Sequence, residues 1–299
     1  MPDRASKFAG LAPYLLLALA SLCWSGNHVL GRAIAGQVPP FAISTIRWAV
    51  PALLLLPFAL PHLRRDWPVI RSHWAIILFL ALTGTAIFGV LQYVSLTYTT
   101  ATNMAVFQSF GPVLIAVAGA LLFHDRLSLL QAFGVATSLV GVLLIVARGH
   151  FATLLDLNLN VGDLIALFNM SLWGIYSASV RKRPPIHWLS FTFLLAIISV
   201  AATTPFFVWE HLAGHTLQPT WTTVGALAYA GLFPSLVAIV CWNRGVERVG
   251  SNQAGATMHL MGLFGPLLAW LILDERLHAY HMAGFALILS GVWLTARRR

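Results

Sequence analysis

The stretch Phe110 to Leu144, FGPVLIAVAGALLFHDRLSLLQAFGVATSLVGVLL, returns near the end of the chain from Phe264 to Leu294 as FGPLLAWLILDERLHAYHMAGFALILSGVWL. Phe110-Gly111-Pro112 matches Phe264-Gly265-Pro266, and Asp125-Arg126-Leu127 matches Glu275-Arg276-Leu277. Beyond them Gly134, Leu139, Gly141, Val142 and Leu144 meet Gly284, Leu289, Gly291, Val292 and Leu294 at a constant offset of 150 residues, the mark of an internal duplication. The offset at the Gly-Pro pair is 154, a four-residue difference that reads as one additional turn in the ninth helix of the duplicated plan, with local unwinding expected around Met261 to Gly265.

The solvent of this chain is not mainly water. Of 299 residues 59% are hydrophobic and 9% charged, against roughly 25% charged in an ordinary soluble domain. The formal charge of +9 would suit nucleic acid in a soluble protein, but Lys and Arg sit in short connections between apolar runs, as at lipid headgroups, and no nucleic-acid recognition motif is present. Cys23 and Cys241 both lie inside apolar runs and form no paired motif. Arg4, Lys7 and Ala18-Leu19-Ala20 give the start a secretory look. The apolar run continues to Leu30, however, and is read as the first spanning helix.

Crossing hydrocarbon takes about 20 mostly apolar residues. That length predicts an all-α polytopic membrane protein with ten spans: Leu11 to Leu30, Phe41 to Leu60, Trp74 to Thr97, Asn103 to Leu122, Leu129 to Ala147, Val161 to Val180, Trp188 to Trp209, Trp221 to Asn243, Asn252 to Leu273, and Ala279 to Ala296. The duplication divides them into a five-helix repeat over residues 1–149 and a second over 150–299. An amino terminus in the cytoplasm puts fourteen Lys and Arg on that side and three on the other, the bias expected of a multi-pass protein of the cytoplasmic (inner) membrane with both termini inside. Five is odd, so matching halves must cross in opposite senses. Such inverted repeats, enclosing a central cavity, are typical of secondary transporters.

Proline inside a span leaves a carbonyl without its partner. Gly111, Pro112, Pro234, Gly265 and Pro266 are therefore expected as hinge positions, with a static kink as the alternative at each. In the first helix Ser21, Trp24, Asn27 and His28 share one face. Asn169, Trp173, Tyr176 and Ser177 make a similar stripe in the sixth, and the two are expected to line one cavity. Tyr93, Trp242, Gln108 and His259 complete the candidate substrate-binding set; a histidine in a membrane helix can equally be bonded to a neighbour. Arg47, the one basic residue inside a span, could attract a carboxylate or snorkel towards helix-end carbonyls.

Of nine acidic residues only Asp163 falls inside a span, in a first turn where a helix cap is the simplest reading. A pocket without an acid suits a neutral molecule or a zwitterion with an apolar side chain, its ammonium held by carbonyls bared at the bends. There is no HExxH, Gly-x-Ser-x-Gly, phosphate loop or cluster at metal spacing. No enzyme activity, cofactor or metal is expected.

Two five-helix halves, each with Gly-Pro in its fourth helix, an acidic-Arg-Leu connection and a glycine-paired fifth helix, resemble the drug/metabolite transporter superfamily, and within it the EamA-type exporters. The Trp24 to His28 stripe looks similar to YddG-type exporters of aromatic and neutral amino acids. The resemblance implies export of neutral, preferably aromatic or hydrophobic, amino acids by alternating access; the alternative is a broad-specificity drug or metabolite exporter. It also implies a peripheral position for the fifth and tenth helices, where Gly134, Gly141, Gly284 and Gly291 allow close contact and a homodimer could form. The partners implied are a small-molecule substrate and membrane lipid, without nucleic acid.

Overall fold

In hydrocarbon the backbone must satisfy its own hydrogen bonds, and a helix does so within one segment. The protein, as a computed structural model, describes residues 4–33, 37–155, 159–273 and 276–297, and among these every regular element is helical. The α-helices are α1 (Arg4–Ala33), α2 (Pro40–Ser72), α3 (Trp74–Ala81), α4 (Ile87–Tyr98), α5 (Ala101–Ser109), α6 (Gly111–Phe123) and α7 (Leu129–Val146). They continue with α8 (Val161–Ser179), α9 (Trp188–Leu212), α10 (Trp221–Ala230), α11 (Ala238–Val249), α12 (Ser251–Thr257), α13 (Met261–Leu273) and α14 (Ala279–Ala296).

By length and composition, 8 helical stretches among the described residues can cross a membrane. The helices α1 and α8, at the first and sixth expected spans, are not among them; α8 carries Asp163, Asn169 and several serines that lower its hydropathy. The helix at the second expected span runs past Leu60, since α2 continues through Arg64 and Arg65 to Ser72. Three helices open with capping boxes, Ser128 with Gln131 at α7, Asn160 with Asp163 at α8 and His278 with His281 at α14, each satisfying amides that the helix leaves bare.

Packing is reciprocal under the 150-residue relation. Helix α1 lies on α11 and α13, as α8 lies on α4 and α6, while α2 packs on α9 and α7 on α14. The last two pairs join equivalent helices, and both run antiparallel. Along α2 and α9, Phe41 meets Glu210, Thr45 meets Thr203 and Asp66 meets Ser190. Along α7 and α14, Gly134 faces Gly291 and Gly141 faces Gly284.

The bends depart from expectation in place and in kind. Helix α5 stops at Ser109, Phe110 takes φ −80 and ψ −4, and Gly111 starts α6. Pro112 therefore begins a helix, where its missing N–H is no loss. Gly265 and Pro266 lie inside α13; the local unwinding comes earlier, as a 3-10 turn over Met258–Leu260. No turn is added: α6 and α13 each have 13 residues and start 150 apart. Gly111 precedes Asp125 by 14 residues and Gly265 precedes Glu275 by 10, so the Gly-Pro pairs occupy different turns of equivalent helices. Pro234 sits in a π-helical segment, Gly231–Val237, where Ser235 Oγ donates to the freed Ala230 carbonyl at 2.8 Å. A second π segment, Leu82–Ala86, interrupts the equivalent span of the first half.

The paired glycines work within the chain. A Cβ on Gly291 would lie 2.5 Å from the Gly134 carbonyl, and one on Gly134 would lie 2.7 Å from that of Gly291. These small residues let α7 and α14 approach backbone to backbone, the close helix contact expected of them. Gly291→Leu is expected to lower the thermal stability of the purified protein in detergent by about 1–3 kcal/mol or more, as overpacking does. Gly265→Ala, whose Cβ would meet nothing within 4 Å, is expected to leave it unchanged or raised; equal losses in the two variants would refute this packing assignment.

Candidate binding cavity

Between the two halves lies a cavity of about 1760 Å³. It is lined at its mouth by Val38, Thr99, Arg148, Gln218 and Arg276, all at one end of the bundle. The opposite end, which carries Arg126, Arg181, Lys182, Arg183 and Arg244, contributes nothing to the lining. That end is closed. Asp125, in the connection after α6, accepts two hydrogen bonds from the Arg181 guanidinium beyond α8, one of them from Nη1 at 3.0 Å, and Arg181 Nη2 reaches Ser251 Oγ at 3.3 Å. Arg183 pairs with Glu247 at 2.8 Å. Through Arg181 the ends of α6 and α8 are tied to the start of α12, and the Arg183 pair ties the segment after α8 to α11.

The wall is aromatic. Trp24 and Trp173 meet edge to face at 5.3 Å, and Phe88 lies 4.9 Å from Trp173. Trp24 Nε1 donates to the Pro234 carbonyl at 3.1 Å, and Trp173 Nε1 points at Met258 Sδ at 3.2 Å. Trp242 stands 5.4 Å from both indoles but is fully buried behind them and does not line the cavity. Tyr176 is likewise fully buried, donating to Asn243 Oδ1 at 2.8 Å and crowding Gly84. Both support the wall from behind. Packing decides this, since a stripe wide enough to hold Trp173 and Tyr176 turns only part of its width inward.

The polar side of the cavity is one connected set. Arg47, 5% exposed, donates from Nε to Ser235 Oγ at 2.9 Å and from Nη1 to Tyr93 Oη at 3.1 Å. Asn27 Nδ2 approaches the same phenol oxygen at 3.4 Å. Arg47 thus turns into the cavity instead of snorkelling to helix-end carbonyls. Gln108 also lines the cavity. The side chain of His28 lies outside the described residues. His259 lines the cavity while bridging the halves: Nε2 donates to the Ser109 carbonyl at 2.8 Å, bared where α5 ends, and Nδ1 meets Ser138 Oγ at 2.6 Å. Of the hinge candidates, Gly265 and Pro266 line the cavity and Gly111, Pro112 and Pro234 do not.

The acids near the cavity are engaged in helix caps. Asp163 accepts from the Asn160 amide at 2.9 Å, from Thr99 Oγ1 at 2.5 Å and from Asn103 Nδ2 at 3.1 Å. Glu210, which the sequence reading placed outside the spans, is buried at the mouth and accepts the Phe41 and Ala42 amides at 3.1 and 3.0 Å. Pro39 and Pro40 cannot donate there, so the carboxylate meets the first amides available at the start of α2. Sequence reasoning missed Phe88, Met170 and Ser235. Nothing distinguishes one Phe or Met in an apolar run, but a serine directly after an intrahelical proline is a ready donor to the carbonyl that the proline frees.

The sequence profile of the EamA-like transporter family matches residues 11–147 and again 160–297. The chain belongs to the EamA-like transporter family. Similar curated members include an uncharacterized transporter of Archaeoglobus fulgidus, 26% identical with 96% of this chain and 98% of that protein covered. Another is the uncharacterized transporter YyaM of Bacillus subtilis, 22% identical over 95% and 92%. A solved crystal structure superposes with a TM-score of 0.78 at 19% identity, covering 98% of this chain and 96% of that one, a likeness of fold alone. Membership makes this EamA-like protein a multi-pass membrane transporter of small molecules, and points to transport, not to catalysis.

Asp125→Asn in this EamA-like transporter is expected to loosen the closed end. In a Ser251→Cys background the change should raise the labelling rate by a thiol reagent applied to the basic end severalfold, since Ser251 is 2% exposed. An unchanged rate would show that the ion pair does not hold that end shut.

Proposed function

We propose that this transporter exports neutral, preferably aromatic or hydrophobic, amino acids across the cytoplasmic membrane by alternating access. The observation that carries the reading is the indole and phenyl wall of Trp24, Phe88 and Trp173 opposite the Asn27, Tyr93 and Arg47 set. Aromatic side chains stacked there gain about 0.5–1.5 kcal/mol per ring pair beyond burial. The likeness of the Trp24 stripe to YddG-type exporters supports the same substrate class.

In this reading α1 and α8 also cross the bilayer, giving ten spans in two five-helix repeats, residues 1–149 and 150–299. The antiparallel run of the equivalent helices α2 with α9 and α7 with α14 supports inversion of one repeat against the other. The basic end is then cytoplasmic with both termini, and the structure is the state open to the outside. A second reading, export of varied drugs or metabolites, is favoured by the size of the cavity, about 1760 Å³, and by Met170, Met258 and Met261 on its wall, since thioethers adapt to many shapes.

Counterflow of labelled phenylalanine in liposomes tests the proposal. Asn27→Ala is expected to cut the initial rate about fivefold, the scale of one hydrogen bond, with the protein still folded. Trp173→Ala is a poorer probe, because its indole is 2% exposed and its loss should cost about 3–5 kcal/mol of stability. No phenylalanine counterflow in the intact protein would end the amino-acid reading. Transport of phenylalanine methyl ester as fast as phenylalanine would favour the broader one.

A further inference from the structure

We propose that the cavity reads its substrate by a carboxylate and offers an ammonium no free acid among the described lining residues, so that aromatic monocarboxylates lacking an amino group occupy it at least as well as the matching amino acids. The inference deepens the export reading and rests on the same cavity. It begins with donors that lack acceptors. A guanidinium has five N–H groups, and Arg47 uses one from Nε on Ser235 and one from Nη1 on Tyr93. Among the described residues no carboxylate pairs with it. The Tyr93 oxygen accepts from both Arg47 and Asn27, which fills its lone pairs. Its own proton has no protein acceptor among the described residues and is left for the cavity. A buried cation and a phenol proton on one wall call for an anionic oxygen.

Most helix-break carbonyls near the cavity already accept a side-chain bond. At the helix breaks the Ser109 carbonyl holds His259 Nε2, the Ala230 carbonyl holds Ser235 Oγ and the Pro234 carbonyl holds Trp24 Nε1. The Thr257 and Met261 carbonyls hold Ser21 Oγ and Ser25 Oγ. Glu210, the carboxylate among the described lining residues, caps α2 at Phe41 and Ala42, about 7–9 Å along the helix from Arg47 at 1.5 Å per residue. The Gly262 carbonyl, freed by Pro266, and neutral amides such as Gln92 and Gln108 are what remains for an ammonium, none of them an anion. A zwitterion pairs its carboxylate with Arg47 but leaves its ammonium without an anionic partner, whereas a monocarboxylate leaves no charge over, and the second state is favoured.

The test is equilibrium binding of labelled 3-phenylpropionate to the purified full-length protein, competed with phenylalanine and with phenethylamine. Unlabelled 3-phenylpropionate is expected to compete as well as phenylalanine or better, and phenethylamine about tenfold or more weaker, the scale of a charge-assisted pair. Arg47→Gln should abolish the preference for acid over amine. If that variant does not fold, Tyr93→Phe, which keeps the ring and removes the proton, should weaken the acids about threefold and leave the amine unchanged. Amine binding equal to acid binding in the intact protein, or a preference that survives Arg47→Gln and Tyr93→Phe, overturns the proposal. Phenylalanine that fails to cross liposomes while the acid preference holds would remove the amino-acid reading and leave this one standing.

Discussion

A helix that breaks inside hydrocarbon exposes carbonyls to a medium that offers no donor, and the structure depends on how these are satisfied. Here the donors come largely from across the boundary between the halves. The end of α5 is held by His259, and the π segment around Pro234 by Trp24. The start of the 3-10 turn in the second half is held by Ser21. Each bond closes a gap in one half with a side chain from the other. The cavity wall and the seam between the halves are therefore made from the same residues, and a change to one reaches the other.

The same economy governs charge. Glu210 and Asp163 sit on helix starts, where backbone amides stabilise a carboxylate, and their negative charge is balanced before it reaches the cavity. Arg47 is treated differently: its neighbours Ser235 and Tyr93 orient it without neutralising it. At the closed end, by contrast, Arg181 and Arg183 each have an acid. Acids meet Arg181 and Arg183 where the bundle is shut, while Arg47, buried where it is open, keeps its charge where a solute can reach it.

Much of this was legible in the sequence. The duplication gave the helices and the equivalence of their partners, the Trp24 stripe pointed to one wall, and Asp163 reads as a cap because it stands three residues after Asn160. The breaks were not legible from Gly-Pro alone. The same dipeptide begins a helix at Gly111 and lies within one at Gly265, since proline is tolerated in a first turn and strained later, and only the helix register tells the two apart. The constant offset of 150 residues did hold the answer: Ser109 and His259, which bond each other, stand that far apart. Tyr176 and Trp242 had the right composition for a site but belong to the layer behind it. How far a stripe turns inward depends on neighbours such as Gly84, which receives the Tyr176 ring.

The seam between α7 and α14 has a mechanical meaning. Two backbones interlocked at Gly134 with Gly291 and at Gly141 with Gly284 resist sliding, because a shift along the axis would drive carbonyls into residues that carry side chains. Rotation about the line of contact meets no such obstacle. The seam is thus a hinge along its length: it fixes the register of the two helices and leaves the angle between the elements they carry free to change.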